Sequence, residues 1–321
     1  MRNSSKLKGL LTVAATAALF TFSGTAKAEY PEKPVEMTVL FGGTANTIAQ
    51  ILSDLLSEEL GQPVVPVARK GGGGAVGYTY LQSAAADGYS IVWNSNSINT
   101  TYHTGRIPFD HTAFTPIARI STEIPALAVN SSTGWSSLAD MTAAANANGG
   151  KLKVGISGKG SFTHLTSAAI FDAMGISDKI IYISYGSGKA PIELLAGRID
   201  AAIQWPGQFT SYAKSGDLTV LAVTGSERVN VLPDVQTAQE QGVDVNISMW
   251  RGLAAPAGTS AEVVTALETA ARNAVENERF TEAAANVGFS KAFLGANEFG
   301  ELIASDDAFY SNLLSQLGMK K

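Results

Sequence analysis

Phe41-Gly42-Gly43-Thr44-Ala45-Asn46 follows an apolar run, Val35 to Phe41, and precedes a helical pattern with Ile48, Ile51, Leu52, Leu55, Leu56 and Leu60 on one face. A strand, a Gly-rich turn and a helix start in that order aim free backbone N–H groups, and the positive end of a helix dipole, at whatever lies in front of the loop. Such an arrangement holds anions. Ser157-Gly158-Lys159-Gly160-Ser161 repeats it, with His164 in the first turn of the next helix. Four of those five residues are small, more than a helix cap needs, which argues for binding. His164 reads either as a donor to a ligand or as packing at the helix start. Trp205, between Gln204 and Pro206, and the pair Asn96 and Ser97 stand at strand ends. In open α/β sheets the carboxyl ends of strands face the ligand crevice.

Other motifs fail on their spacing. Gly72-Gly73-Gly74-Ala75-Val76-Gly77 matches G-x-G-x-x-G, but the next strand ends Trp93-Asn94-Ser95-Asn96-Ser97, without the acidic residue a dinucleotide ribose requires. It reads as a tight turn that packs a helix on the sheet. Gly155-Ile156-Ser157-Gly158-Lys159 has Lys where a nucleophile elbow needs its last Gly. Gly160 interrupts the Gly-Lys-Ser/Thr order of a P-loop. His103, His111 and His164 lack metal-site spacing, and the chain has no cysteine. The expectation is therefore no metal, no cofactor and no catalytic residue: a protein that binds rather than an enzyme.

Strand and helix patterns alternate along the chain, the signature of an α/β fold with mostly parallel sheets. Thr259-Ser260-Ala261-Glu262 reads as a capping box that opens a long helix. Two strand candidates are long, Pro116–Val129 and Val245–Ala255, and they bracket a self-contained αβ set. This predicts one domain inserted into another: domain 1 from 29–129 plus 251–321, domain 2 from 130–250. Residues 1–28 read as a signal peptide, with basic Arg2, Lys6 and Lys8, an apolar core from Gly9 to Phe22, and a cleavage site after Ala28. Removing its four basic residues leaves 19 Lys+Arg against 28 Asp+Glu, a net charge of −9. An acidic chain is a poor partner for nucleic acid or anionic membrane.

Taken in order, several segments resemble the Bug (TctC-like) extracytoplasmic receptors of tripartite tricarboxylate transporters. They are Tyr30-Pro31-Glu32-Lys33-Pro34-Val35, Leu60-Gly61-Gln62-Pro63-Val64-Val65, Ala86-Asp87-Gly88-Tyr89 and Phe114-Thr115-Pro116-Ile117-Ala118. Gly155 to Leu165, Tyr185-Gly186-Ser187-Gly188, Leu194 to Asp200 and Trp250 to Thr259 continue the series. The resemblance implies a type II periplasmic binding protein fold: two α/β domains joined by two crossover strands, with a ligand cleft between. It implies a periplasmic monomer that captures a small organic anion, a di- or tricarboxylate or related carboxylate, and delivers it to membrane partners by domain closure. The two Gly loops would face each other across the cleft, with Tyr185, Gly186 and Ser187 beside them, so that backbone N–H groups hold the ligand without a cluster of Arg. A carboxylate sensor feeding a membrane histidine kinase and a hydrolase on the same scaffold are the alternatives.

The chain departs from the family pattern at the first loop. Leu40-Phe41 runs straight into Gly42-Gly43, two residues shorter, and Asn46 stands where relatives have Asp. The Tyr185 loop is one residue short.

Overall fold

The computed structural model describes residues 30–147, 150–186 and 188–321. The expected signal peptide lies outside them. The chain runs Val35–Val39 (β1), Thr44–Leu60 (α1), Val64–Ala68 (β2), Ala75–Gln82 (α2), Ser90–Ser95 (β3), Ser97–His103 (α3) and Phe114–Glu123 (β4). It crosses at Ile124-Pro125 into Ala126–Asn130 (β5), Leu138–Ala147 (α4), Leu152–Ile156 (β6), Phe162–Ala173 (α5), Ile180–Ser184 (β7), Ala190–Leu195 (α6), Ala201–Gln204 (β8), Thr210–Ser215 (α7) and Leu218–Val223 (β9). It returns as Met249–Pro256 (β10), then Ala261–Glu276 (α8), Glu278–Val287 (α9), Ser290–Leu294 (β11) and Ala296–Gln316 (α10).

Two sheets result, of six strands in the order β11-β4-β10-β3-β1-β2 and five in the order β7-β6-β8-β5-β9. They are mixed where mostly parallel ones were expected, because the crossing strands β4, β5 and β10 all pair antiparallel with their neighbours. Within the first, β1 pairs parallel with β2 and β3, and β10 joins antiparallel between β3 and β4. The expected long strand Pro116–Val129 is two strands. Pro125, which cannot donate to a ladder, sits in the break; β4 stays in the first sheet and β5 pairs with β8 and β9 in the second. The expected strand Val245–Ala255 is likewise divided: Val245 and Ile247 pack in the second half's core, and β10 begins only at Met249.

Core burial follows the apolar periodicity. Ile48, Leu52, Leu55 and Leu56 of α1 and Leu267, Ala271 and Val275 of α8 close one face of the six-stranded sheet. Thr259, expected within a capping box, gives way to Ser260, whose side chain accepts from the Val263 N–H and caps α8. The last helix does more than return to the first half. Phe299 and Ile303 near its start pack in that half's core, whereas Tyr310 and Leu314 belong to the core of the second. One helix therefore spans both halves beside the two chain crossings.

That helix lies close because Gly252 of β10 has no side chain. A Cβ there would run into the Ala118 carbonyl and the Phe299 ring. Gly252→Ala is expected to cost ~1–3 kcal/mol as overpacking of a filled core, read as a lower urea midpoint; an unchanged midpoint would show that α10 can move aside freely.

Candidate functional site

A cavity of about 610 Å³ lies between the two halves, within the usual range of small-molecule pockets. The first half contributes Phe41, Gly42 and Gly43 from the loop before α1, Thr44 at its start, and Ser97 and Thr100 from α3. The second contributes Ser157, Gly158, Lys159, Gly160 and Ser161 from the loop before α5, together with Gly186 and Trp205. The two Gly loops thus meet across one space.

Their helix starts differ. Gly43 is the N-cap of α1 and supplies no side chain, so donors of the first turn have no internal cap. Ser161 caps α5 by accepting from the His164 N–H. In the same loop the Ser157 N–H donates to Thr163 Oγ1 at 2.9 Å, and the Gly160 N–H to His164 Nδ1 at 3.0 Å. The second loop is largely satisfied by its own side chains; the first is not.

Several expected site residues lie elsewhere. Asn46 is neither cap nor wall: the helix begins at Thr44, which places Asn46 inside its first turn. Ala45 is buried, and its carbonyl accepts from Trp93 Nε1 at 3.0 Å. The Asn96 carboxamide is spent on structure, accepting from the Trp250 N–H and donating to Asp306 and the Tyr310 hydroxyl. Tyr185 packs on the cluster beneath α6. Gln204 is buried behind the loop, where its Nε2 donates to Ser157 Oγ at 3.3 Å. His164 sits edge-on against Tyr182 at 4.6 Å, with its Nδ1 occupied by the backbone. Ser187 is outside the described residues.

Sequence reasoning missed Leu40, Thr100 and Thr163 of the lining and four further groups. Lys70, Gly71, Gly72 and Gly73 follow β2 and line the first half's wall. The glycine cluster therefore does more than pack a helix, although Gly77 does pack: a Cβ there would strike Leu40. Arg106 follows α3, Phe162 and Gln208 flank Trp205, and Met249 and Arg251 come from the crossing strand β10. For Arg251 a signal existed, because a charge inside the apolar run Met249 to Ala255 demands a partner or a purpose. For Arg106 none did.

Arg106 connects the halves. Its Nη2 donates to the Lys159 carbonyl at 2.5 Å. A Cβ on Gly73 would stand 2.6 Å from Nη1, and one on Gly160 2.8 Å from Nη2. Both glycines have φ of +73°, so the guanidinium lies between two backbone surfaces that only glycine leaves open.

The lining carries Lys70, Arg106, Lys159 and Arg251, and no Asp or Glu among the described residues. Glu123 offsets Arg251 from behind. In a chain of net −5, positive charge is gathered at the cleft. Burial first, then Lys159 and Arg106, push the His164 pKa down from 6.5 to about 4.

A two-halved α/β fold with a cleft between the halves is the architecture of periplasmic binding proteins. The family described as "Tripartite tricarboxylate transporter family receptor" matches residues 48–319, and the chain belongs to it. Similar sequences include a UPF0065 protein of Agrobacterium vitis, 30% identical over 292 residues, 87% of this chain and 82% of that one. Among solved structures, the periplasmic binding protein BugD is 26% identical with a TM-score of 0.81, covering 91% of this chain and 100% of that one. An R. palustris protein solved with adipate is 25% identical with a TM-score of 0.82, covering 90% and 99%. The fold is thus the two-domain α/β fold of the TctC and Bug solute-binding proteins.

His164 provides a pH test. Its folded pKa lies below the unfolded value, so the neutral ring's stabilisation is complete above pH 6.5 and is lost as pH falls toward 4. His164→Asn keeps an acceptor but cannot titrate there. The melting-temperature advantage of wild type over this variant should shrink between pH 7 and pH 4; a constant difference would show that the ring does not titrate in that window.

Proposed function

We propose that the protein captures a small organic anion, a di- or tricarboxylate or related carboxylate, in this cleft, by closure of the two halves. Acting in the periplasm, it delivers the ligand to the membrane components of a tripartite tricarboxylate transporter. The observation that carries this reading is the charge of the lining: four cations and, among the described residues, no carboxylate. The uncapped start of α1 adds N–H donors and the positive end of a helix dipole. Hydrogen bonds from neutral donors to a carboxylate contribute ~1.5–3 kcal/mol each. A few of them with one or two of the cations reach micromolar affinity, near −8 kcal/mol. The adipate held by the R. palustris structure points to the same ligand chemistry. Family membership supports the transporter as recipient. Against the hydrolase alternative, His164 Nδ1 accepts from the Gly160 N–H and not from a serine hydroxyl.

Gly158 permits a clean test, because a Cβ there meets nothing within 4 Å. Gly158→Asp places a carboxylate in the cleft without a steric cost, and Gly158→Asn is its neutral counterpart. In a thermal-shift screen of mono-, di- and tricarboxylates, wild type and the Asn variant should be stabilised by the same acids. The Asp variant should lose at least 10-fold in affinity at unchanged apo melting temperature; equal affinity in all three proteins would move the site elsewhere. Closure has its own readout. The radius of gyration by X-ray scattering should fall on saturation, and an unchanged radius with bound ligand would mean a rigid pocket.

A further inference from the structure

Arg251 stands apart from the other three cations of the cleft. It comes from β10, every residue of which is buried, and its side chain is 3% exposed. A break in register between Arg251 and Gly252 interrupts the pairing of β10 with β4 at this point, and such irregularities re-aim side chains. Glu123 of β4, 1% exposed, grips the guanidinium side-on: Nε donates to Oε1 at 2.5 Å and Nη2 to Oε2 at 3.2 Å. This leaves Nη1, which is buried and has no partner. Arg251 nevertheless lines the cavity. Its guanidinium carbon lies 5.9 Å from the centre of the Trp205 indole, which stacks on Phe162 at 6.0 Å and 18°.

Stability does not account for this arrangement. A buried ion pair is often no better than apolar residues of the same size, and a buried donor left without an acceptor is a cost. An acceptor supplied by the ligand removes that cost. Lys70, by contrast, stands at the loop, its Nζ 3.3 Å from where a Gly42 Cβ would be. Cationic groups therefore occur both at the loop before α1 and on the crossing strand, with the Trp205–Phe162 pair beside the latter.

We propose that Arg251 is a specificity-determining residue that receives one carboxylate of a dicarboxylate ligand through Nη1, held in position by Glu123, while the loop before α1 and Lys70 receive the other. This deepens the carboxylate-receptor reading above and rests on it. The ligand class is then a dianion with its charges at opposite ends and an apolar body lying against Trp205. A monocarboxylate would leave Nη1 unpaired and bind less tightly. Glu123 does not compete for Nη1, because its two oxygens are taken by Nε and Nη2.

The test is calorimetric titration with matched pairs of acids: succinate and butyrate, adipate and hexanoate, suberate and octanoate. For the best-fitting length, wild type should prefer the diacid by at least 10-fold. The double variant Glu123→Gln/Arg251→Gln replaces the ion pair by two amides that can bond each other. It should bring that preference to within about 2-fold by weakening the diacid more than the monoacid. Glu123→Gln alone retains Arg251 without its counter-charge and should widen the diacid preference severalfold, a direction that damage to the fold does not produce. A diacid preference equal in all three proteins, or a wild type without such preference, overturns the inference alone. Absence of binding of every acid to wild type overturns the carboxylate-receptor reading and this inference with it.

Discussion

The side chain of Asn96 is the junction on which the two halves depend. Its carbonyl accepts from the Trp250 N–H at 2.9 Å, and its amide donates to Asp306 at 2.8 Å and to the Tyr310 hydroxyl at 3.0 Å. Trp250 Nε1 donates to the same Asp306 oxygen at 2.6 Å. One carboxamide thus joins the end of β3, the returning strand β10 and the helix that touches both cores. Burial raises the pKa of Asp306 and of Tyr310, so the network sits in a medium where an unmade hydrogen bond is costly. Ser97 follows Asn96 and Arg251 follows Trp250 along the chain. Two walls of the cavity are therefore indexed to the same hub.

The charge pattern works against the average of the chain. The protein is acidic, yet the cleft is basic, so an anion repelled by the net charge meets a favourable field at the cleft. The two loops divide the labour. The α1 start, capped by a glycine, keeps backbone donors available, whereas the α5 start is held in shape by Ser161, Thr163 and His164. One loop is free to bond, and the other is a preformed surface that presents Gly158 and Lys159.

How far this was legible in the sequence depends on the range of the interaction. Local order was readable: the apolar spacing of Ile48 to Leu60 yields α1, and strands alternate with helices as the pattern required. The resemblance across ordered short motifs carried the fold class. Partners distant in the chain were not readable. Asn96 has the character of a ligand residue at a strand end, and only the fold reveals that its side chain is bonded to Trp250, Asp306 and Tyr310. The face formed by Phe299, Ile303, Tyr310 and Leu314 is a single stripe on paper, but its two ends serve different cores. The expectation of a cleft without a cluster of Arg did not anticipate that two arginines line it: Arg106 lies in no local pattern that marks a site, and Arg251 is marked only by being a charge within an apolar strand. Asn46 shows the opposite error, where a residue type known for capping sits within a helix already begun at Thr44.

In the proposed receptor, Arg106 would bear on how long a ligand stays, and Arg251 on which ligand is chosen. Its guanidinium bridges Gly73 of one half and Lys159 and Gly160 of the other, and it belongs to the clasp between the walls as much as to the floor. Were it to open and close with the halves, its effect would fall on dissociation, the rate through which affinities of related complexes mostly diverge. Residence time can thus drift in evolution, or be set by design, through the reach of one side chain and the smallness of two facing glycines. Selectivity, resting on the buried strand behind, would be left as it was.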